Sequence, residues 1–327
     1  MGFHFIKALP SSDTIKNELV FEMKYQEMKK SRDKEIKDCF SLKNNKFIII
    51  VGPCSAHHED AVCDFVNRIK VVQDQTLDKL IIIPRIYTNK PRTMGTGYKG
   101  MLHQPDPAKR PNIVEGIQAI RRLHLRIIKE TGLSGADEML YPGSHPYLDD
   151  LLSYVAIGAR STENQQHRLT ASGIDMPAGF KNPICGDMKV MLNSVCAAQS
   201  GHVFAYNGFE VETNGNEYAH AILRGAVDTF GNAIANYHYE DLRSLAELYG
   251  KLEVSNPGVI VDTNHSNSGK KYYEQPRIAL EIMRSRKISP EINQLVKGLM
   301  IESFIEEGSQ KIAENVYGKS ITDPCLG

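Results

Sequence analysis

LIIIPRIYTNKPRT, residues 80–93, carries two textures in one short run. LIIIPRIY (80–87) is apolar on both sides of an extended chain, as a strand covered on both faces of a parallel sheet must be. TNKPRT then delivers Lys90 and Arg92, and the glycine-spaced MGTGYKG (94–100) adds Lys99, with almost no acid nearby. The first half recurs along the chain. FIIIVGPC (47–54), VAIGAR (155–160), AGFKN (178–182), VIVDTNH (259–265) and LMIESF (299–304) read as strands, and GADEML (135–140) as a weak one. Longer amphipathic runs separate them: 60–73, 113–131, 147–154 (YLDDLLSY), 162–173, 187–199, 239–252 and 276–286 read as helices. HVFAYN (202–207) reads as a strand with a strand-like return through YAHAILRG (218–225), and the region counts as one elaborated unit. Eight strand–helix alternations predict an α/β fold, a closed (β/α)8 TIM barrel. The alternative, an open doubly wound sheet, lacks its glycine fingerprint after the first strand, where GPCSAH stands instead. Residues 1–45 are polar, with apolar positions at helical steps over 17–40, and predict an N-terminal helical extension to a catalytic barrel over 46–327.

Composition narrows the function. The chain has 327 residues, and 41% of them are hydrophobic, enough for a large core. Lys+Arg and Asp+Glu each total 39, so neither nucleic acid nor an anionic membrane is the expected partner. The cations near residue 90 are a local arrangement. Six cysteines without a C-x-x-C pair, and no signal peptide, predict a reducing, cytoplasmic setting. No apolar run approaches the roughly 20 residues that span a bilayer.

Barrels of this kind do their chemistry at the C-terminal ends of the strands. Those ends read Cys54, Arg85, Glu138, Arg160, Lys181, Arg224, His265 and Glu302. A single arginine after a strand is ordinarily a surface residue, and a single cysteine ordinarily a small core residue. Seven such assignments would have to hold independently at positions the fold brings to one rim, and a shared site is the simpler reading. Arg85, Lys90, Arg160, Lys181 and Arg224 would repel one another unless anions fill the space between them. Arginine forks suit carboxylate and phosphate. Arg92, Thr93 and the turn to Lys99 suit a second phosphate. Cys54, His265 and Glu302 offer sulfur, nitrogen and oxygen, a set for a divalent transition metal such as Mn, Fe, Co or Zn, with Asp323 available as a fourth ligand. Two phosphorylated substrates, a carbonyl and a metal acting as Lewis acid point to carbon–carbon bond formation.

GPCSAHHE (52–59), RIYTNKPRT (85–93) with GYKG (97–100), YVAIGARSTENQQHR (154–168), GFKN (179–182), AILRG (221–225), VDTNHSNSGKK (261–271), IESFIEEGSQ (301–310) and YGKSITD (317–323) resemble, in order, the motifs of the type I 3-deoxy-D-arabino-heptulosonate 7-phosphate (DAHP) synthases. The resemblance implies a (β/α)8 barrel that condenses phosphoenolpyruvate with erythrose 4-phosphate at the start of the shikimate pathway. It implies that Cys54, His265, Glu302 and Asp323 ligate one divalent metal ion. Arg85, Lys90, Arg160, Lys181 and Arg224 would hold phosphoenolpyruvate. Arg92 and Thr93 would hold the phosphate of the aldose, with Lys90 and Pro91 lining that pocket. Lys90, Cys54 and His265 are the candidates for catalysis, and a homo-oligomer is expected. His57, His58 and His167 lie near the rim, as substrate contacts or as structural residues. The other readings are a related enzyme with a different aldose and an inactive regulatory paralogue; the retained ligand set argues against the latter.

The sequence departs from the family pattern in three places. Its glycine turn is one residue longer, with Tyr98 in place of a tryptophan; PICGD (183–187) follows GFKN; and the chain ends at Gly327 without the final helix the family pattern carries. The expectation is therefore an eighth strand with an uncovered apolar outer face, and an Asp323 loop tethered at one end only.

Overall fold

The computed structural model describes residues 2–327. Eight parallel strands form one sheet: Phe47–Gly52, Leu80–Pro84, Ala136–Glu138, Tyr154–Ile157, Ala178–Lys181, His220–Leu223, Val259–Asp262 and Val296–Glu302. They neighbour one another in the order second, first, eighth, seventh, sixth, fifth, fourth, third. A parallel bridge between Arg85 and Ala136 brings the second strand to the third and closes the ring. The fold is the (β/α)8 barrel.

Alternate residues of each strand point inward. Ile48, Ile50, Ile81, Ile83, Ala136, Tyr154, Ala156, Ile222, Ile260 and Met300 make one buried cluster inside the ring. Each such isoleucine contributes roughly 1.5–3 kcal/mol by leaving water. The floor of the ring is stopped from outside. Helix Met23–Phe40 inserts Ile36, Cys39 and Phe40 into the same cluster. The outward residues of the strands, such as Val155, Phe180, Leu223 and Val261, pack under the surrounding helices. None of the helices is long and apolar enough to cross a membrane, among the described residues.

Three elements differ from the sequence reading. YLDDLLSY is not a helix: a 3-10 turn, Pro142–Tyr147, and further turns replace it. The segment is shared between neighbours: Tyr147 ends that 3-10 turn, and Tyr154 begins the fourth strand, its hydroxyl 2.7 Å from His220 Nε2 inside the ring, which leaves too few residues for a stable helix. HVFAYN is not a barrel strand. Val203–Tyr206 pairs with Phe209–Glu212 as a separate antiparallel hairpin, and the sixth barrel strand is the return, His220–Leu223.

The third difference is the end of the chain. Among the described residues no α-helix follows the eighth strand, only a short 3-10 turn, Ile312–Glu314. Its outward face is partly covered: Leu299 is buried, while Ile301 with Ile49 and Val51 of the neighbouring first strand is only half-buried, unlike the fully buried Val155, Phe180, Leu223 and Val261 of the other strands. The Asp323 loop is tied at both ends. Leu326 N–H donates to Glu302 O (2.9 Å), Phe304 N–H to Leu326 O (2.8 Å), and Gly308 and Cys325 exchange two backbone bonds. The expected single tether is wrong because the residues after Asp323 return to the strand they follow.

Candidate active site at the barrel mouth

Arg85, one residue past the second strand, is 2% exposed. Its guanidinium lies 3.8 Å from the centre of the Tyr87 ring and 2.8 Å from Glu302 Oε1, and also donates to Pro53 O. Burial opposes both charges, but each holds the other: Glu302 stays below the usual carboxylate range and Arg85 stays protonated. Asn264 Nδ2 donates to the other Glu302 oxygen at 2.6 Å, and Gln275 bonds the Glu302 backbone on both sides. A Cβ on Gly52 would lie 2.2 Å from Arg85 O, so only glycine lets the end of the first strand come this close and bring Cys54 beside Arg85.

On the far side of Tyr87, Lys181 Nζ lies 5.7 Å from the ring centre and 3.3 Å from Asp262 Oδ2. The same Asp262 oxygen is 2.8 Å from His265 Nδ1, and His265 Nε2 is 3.9 Å from Glu302 Oε1. Burial would raise Asp262, but His265 and Lys181 together keep it ionised well below its ordinary range. Burial also lowers His265, against the pull of Asp262. His265 sits at φ 50°, in the left-handed region that a non-glycine residue rarely adopts. Its loop fixes it there through Lys270 N–H on His265 O (2.8 Å) and Ser266 N–H on Arg224 O (3.1 Å).

The third group joins the two ends of the catalytic chain. Lys90 Nζ donates to Cys54 Sγ and to Asp323 Oδ2, 2.8 Å each, and Cys54 Sγ is 3.5 Å from that oxygen. Burial and Glu302 push the Cys54 thiol up, while Lys90 opposes them. Burial would raise Asp323 too, yet Lys90 holds it low. Cys54 N–H donates to Cys325 Sγ at 3.4 Å.

Not every cation at the rim waits for an anion, as the sequence reading had it. Arg85, Lys181 and Lys90 already face Glu302, Asp262 and Asp323. Arg224 does not. Its NH1 is buried without a hydrogen-bond partner, burial lowers its pKa, and Arg160, exposed on the adjacent rim, adds a like charge. Arg92 stands apart from this network. Its Nε donates to Tyr98 O at 2.8 Å on its own turn, where Pro91 is half-buried and Thr93 exposed. Glu138 is buried against Gly158 of the fourth strand end. The rim histidines have local partners. His58 accepts from Ala61 N–H at a helix start, His167 contacts Asn164 and Leu140, and His57 packs edge-on against Phe304.

As they stand, no three of the described histidines, cysteines, aspartates and glutamates are grouped closely enough to hold a metal ion. The donors nonetheless suit one. Cys54 and Asp323 already share a cation, the Lys90 ammonium, and the buried Glu302 Oε1 likewise faces a cation, Arg85 at 2.8 Å, without a well-aligned hydrogen bond. Asp262, Tyr87, Asn264 and Gln275 support the site and carried no assignment in the sequence reading. Asp262 had a signal, a carboxylate closing the otherwise apolar VIVD. A cavity of about 1030 Å3 beneath helix Met23–Phe40 is no rival. Two of its lysines are already paired within the helix, Lys29 with Asp33 and Lys34 with Asp38, and it lies away from the C-terminal ends of the strands.

Residues 25–327 match the model of the DAHP synthetase I family. The chain is similar to the Tyr-sensitive phospho-2-dehydro-3-deoxyheptonate aldolase of Escherichia coli K12, with 36% identity over 90% of this chain and 82% of that one. It is 38% identical to the tyrosine-inhibited enzyme of that name from Candida albicans, over 86% of this chain and 77% of the relative. Its fold is similar to that of the phospho-2-dehydro-3-deoxyheptonate aldolase of Francisella tularensis SCHU S4, with a TM-score of 0.91, 29% identity, and 99% of this chain and 94% of the other covered.

Proposed function

The chain belongs to the DAHP synthetase I family, and from that premise we infer how its barrel mouth condenses phosphoenolpyruvate with erythrose 4-phosphate, giving DAHP and phosphate in the first step of aromatic amino acid biosynthesis. The observation that carries the assignment of residues is the half-buried Arg224, its NH1 buried without a hydrogen bond, beside Arg160 and near Asp262 and Lys181. An unpaired buried charge is costly, and an anion offsets that cost. Arg160, Lys181 and Arg224 receive the phosphate of phosphoenolpyruvate, while Arg85 and Lys90 face its carboxylate. Arg92 and Thr93, on the exposed turn, receive the phosphate of the aldose, with Pro91 beside them. Two separated anion subsites set the enol and the aldehyde head to head, the positioning that a condensation of two anions requires.

In the reaction C3 of phosphoenolpyruvate attacks the aldehyde carbon, water adds at C2, and phosphate departs with cleavage of its C–O bond. Lys90 stays protonated beside Cys54 and Asp323 and can hold a proton near the aldehyde oxygen. A divalent metal held by Cys54, His265, Glu302 and Asp323 would polarise the aldehyde as a Lewis acid. Asp262 orients His265, and Asn264 orients Glu302. Six unpaired thiols support a reducing, cytoplasmic setting, and the exposed Phe3, Phe5 and Ile6 are apolar surface that a second copy would cover in a homo-oligomer.

Steady-state kinetics with both substrates and added metal test the reading. Arg224→Gln is expected to cost roughly 2–5 kcal/mol in kcat/KM for phosphoenolpyruvate. If both phosphoenolpyruvate parameters stay within twofold, the anion subsite lies elsewhere.

A further inference from the structure

Lys90 occupies the position at which Cys54 and Asp323 would meet a metal. Its Nζ is 2.8 Å from Cys54 Sγ and 2.8 Å from Asp323 Oδ2, and those two atoms are 3.5 Å apart. Divalent zinc, as a guide, binds sulfur at about 2.3 Å and carboxylate oxygen at about 2.1 Å. With those lengths, no point bonded to both atoms is farther than about 3.5 Å from Nζ, and most are much nearer. A divalent ion and an ammonium cannot share that corner without strong repulsion. Lys270 does not resolve the conflict, since its Nζ lies on the other Asp323 oxygen at 3.7 Å. So Lys90 has to leave before an ion can take both donors. Lys90 is half-buried on the loop that follows the second strand, and Arg85 lies at the root of that loop.

We propose that Lys90 is a displaceable internal cation that couples metal binding to phosphoenolpyruvate binding. Without substrate it neutralises Asp323 and holds the metal position closed. The phosphoenolpyruvate carboxylate draws it away and opens that position. Linkage then makes the coupling reciprocal, so bound metal strengthens phosphoenolpyruvate binding by the same factor. The inference rests on the metal and substrate assignments made above, and gives Lys90 a positioning role that those assignments do not contain.

Titration with Co2+, read by the cobalt–thiolate charge-transfer band of Cys54, tests it without turnover, because no aldehyde is present. In the native enzyme, saturating phosphoenolpyruvate is expected to tighten Co2+ binding at least tenfold. Lys90→Met is expected to bind Co2+ at least tenfold tighter than the native enzyme when phosphoenolpyruvate is absent, and to show no further tightening when it is present. Unchanged or weaker Co2+ binding by Lys90→Met, with the band intact, would overturn the inference alone. So would a phosphoenolpyruvate effect that survives in the variant. The native enzyme supplies a check that needs no variant: Co2+ affinity indifferent to phosphoenolpyruvate overturns the coupling. A native protein with no thiolate band overturns the metal assignment and this inference together.

Discussion

Arg92 is held by its own turn. Its Nε bonds Tyr98 O at 2.8 Å, and Gly97, at φ 89°, lies under the guanidinium, where even a Cβ would come within 3.4 Å. The terminal nitrogens make no ion pair among the described residues, and they are free to fork onto a phosphate. Because this turn stands apart from the Arg85–Glu302 and Lys181–Asp262 pairs, Arg92→Ala is expected to raise KM for erythrose 4-phosphate at least tenfold while changing that for phosphoenolpyruvate less than threefold. Equal effects on both, in steady-state assays, would merge the two subsites. The charges at the mouth were legible as residues because Arg, Lys, Cys and His stand out at the ends of apolar strands. Their pairing was not. Arg85 with Glu302, and Asp262 with both Lys181 and His265, are contacts between separate elements that linear order does not display. The sequence therefore suggested five cations awaiting anions, where the structure leaves Arg224 and Arg160 without an acid partner.

Helix Met23–Phe40 shows how an element outside the barrel controls it. Its polar face lies in water, and Ile36, Cys39 and Phe40 complete the layer of isoleucines inside the ring. Phe40 is 1% exposed, and its ring is 4.4 Å from that of His220. Arg32 and Asp33 fix the angle of entry, the first donating to Ile82 O and the second accepting from Ser153. Phe40→Ala would open a cavity at the floor and is expected to cost about 3–5 kcal/mol, measured as a lower urea midpoint with an unchanged slope. A loss under 1 kcal/mol would mean that the helix can be spared. Helical periodicity marked this element and Ile113–Thr131, the latter over the same residues, capped by Asn112 and by Gly132 at φ 71°. Where periodicity failed, other forces decided. YLDDLLSY lost its first residue to a 3-10 turn and its last to the fourth strand, and the β-rich HVFAYN found a partner in the next segment instead of in the barrel.

At the scale of the whole molecule, acid sensitivity is set away from the site. Burial lowers His57, His145 and His220 to about 4 and His124 to about 3. His220 is a clear case: its Nδ1 faces Tyr218 O at 2.8 Å and its Nε2 faces the Tyr154 hydroxyl at 2.7 Å, a neutral ring with both nitrogens used. His124 has neither nitrogen bonded. The unfolded chain takes up protons on these rings near pH 6.5, while the folded chain does not until pH is much lower. Stability contributed by keeping them neutral is thus complete above pH 6.5 and is lost as pH falls toward about 4. At pH 5 each deeply buried ring costs up to roughly 2 kcal/mol, and the more exposed His57 less. Together these approach the whole stability of an ordinary domain, about 5–15 kcal/mol. The ion-paired carboxylates act in a different window. Asp262, Asp323 and Glu302 are held below their ordinary range, so their contribution persists above the usual carboxylate pKa and is lost only at lower pH. Asp137, which burial raises to about 7, takes up its proton inside the fold over the same range and offsets about one of these rings. With three or four rings against that one carboxyl, the urea midpoint is expected to fall between pH 7 and pH 5, before the ion-paired carboxylates titrate. His220→Gln keeps a donor for Tyr218 O and an acceptor for Tyr154 without the ability to charge, and should make that fall shallower. A midpoint that stays flat from pH 7 to pH 5 would show that these rings accept protons inside the fold.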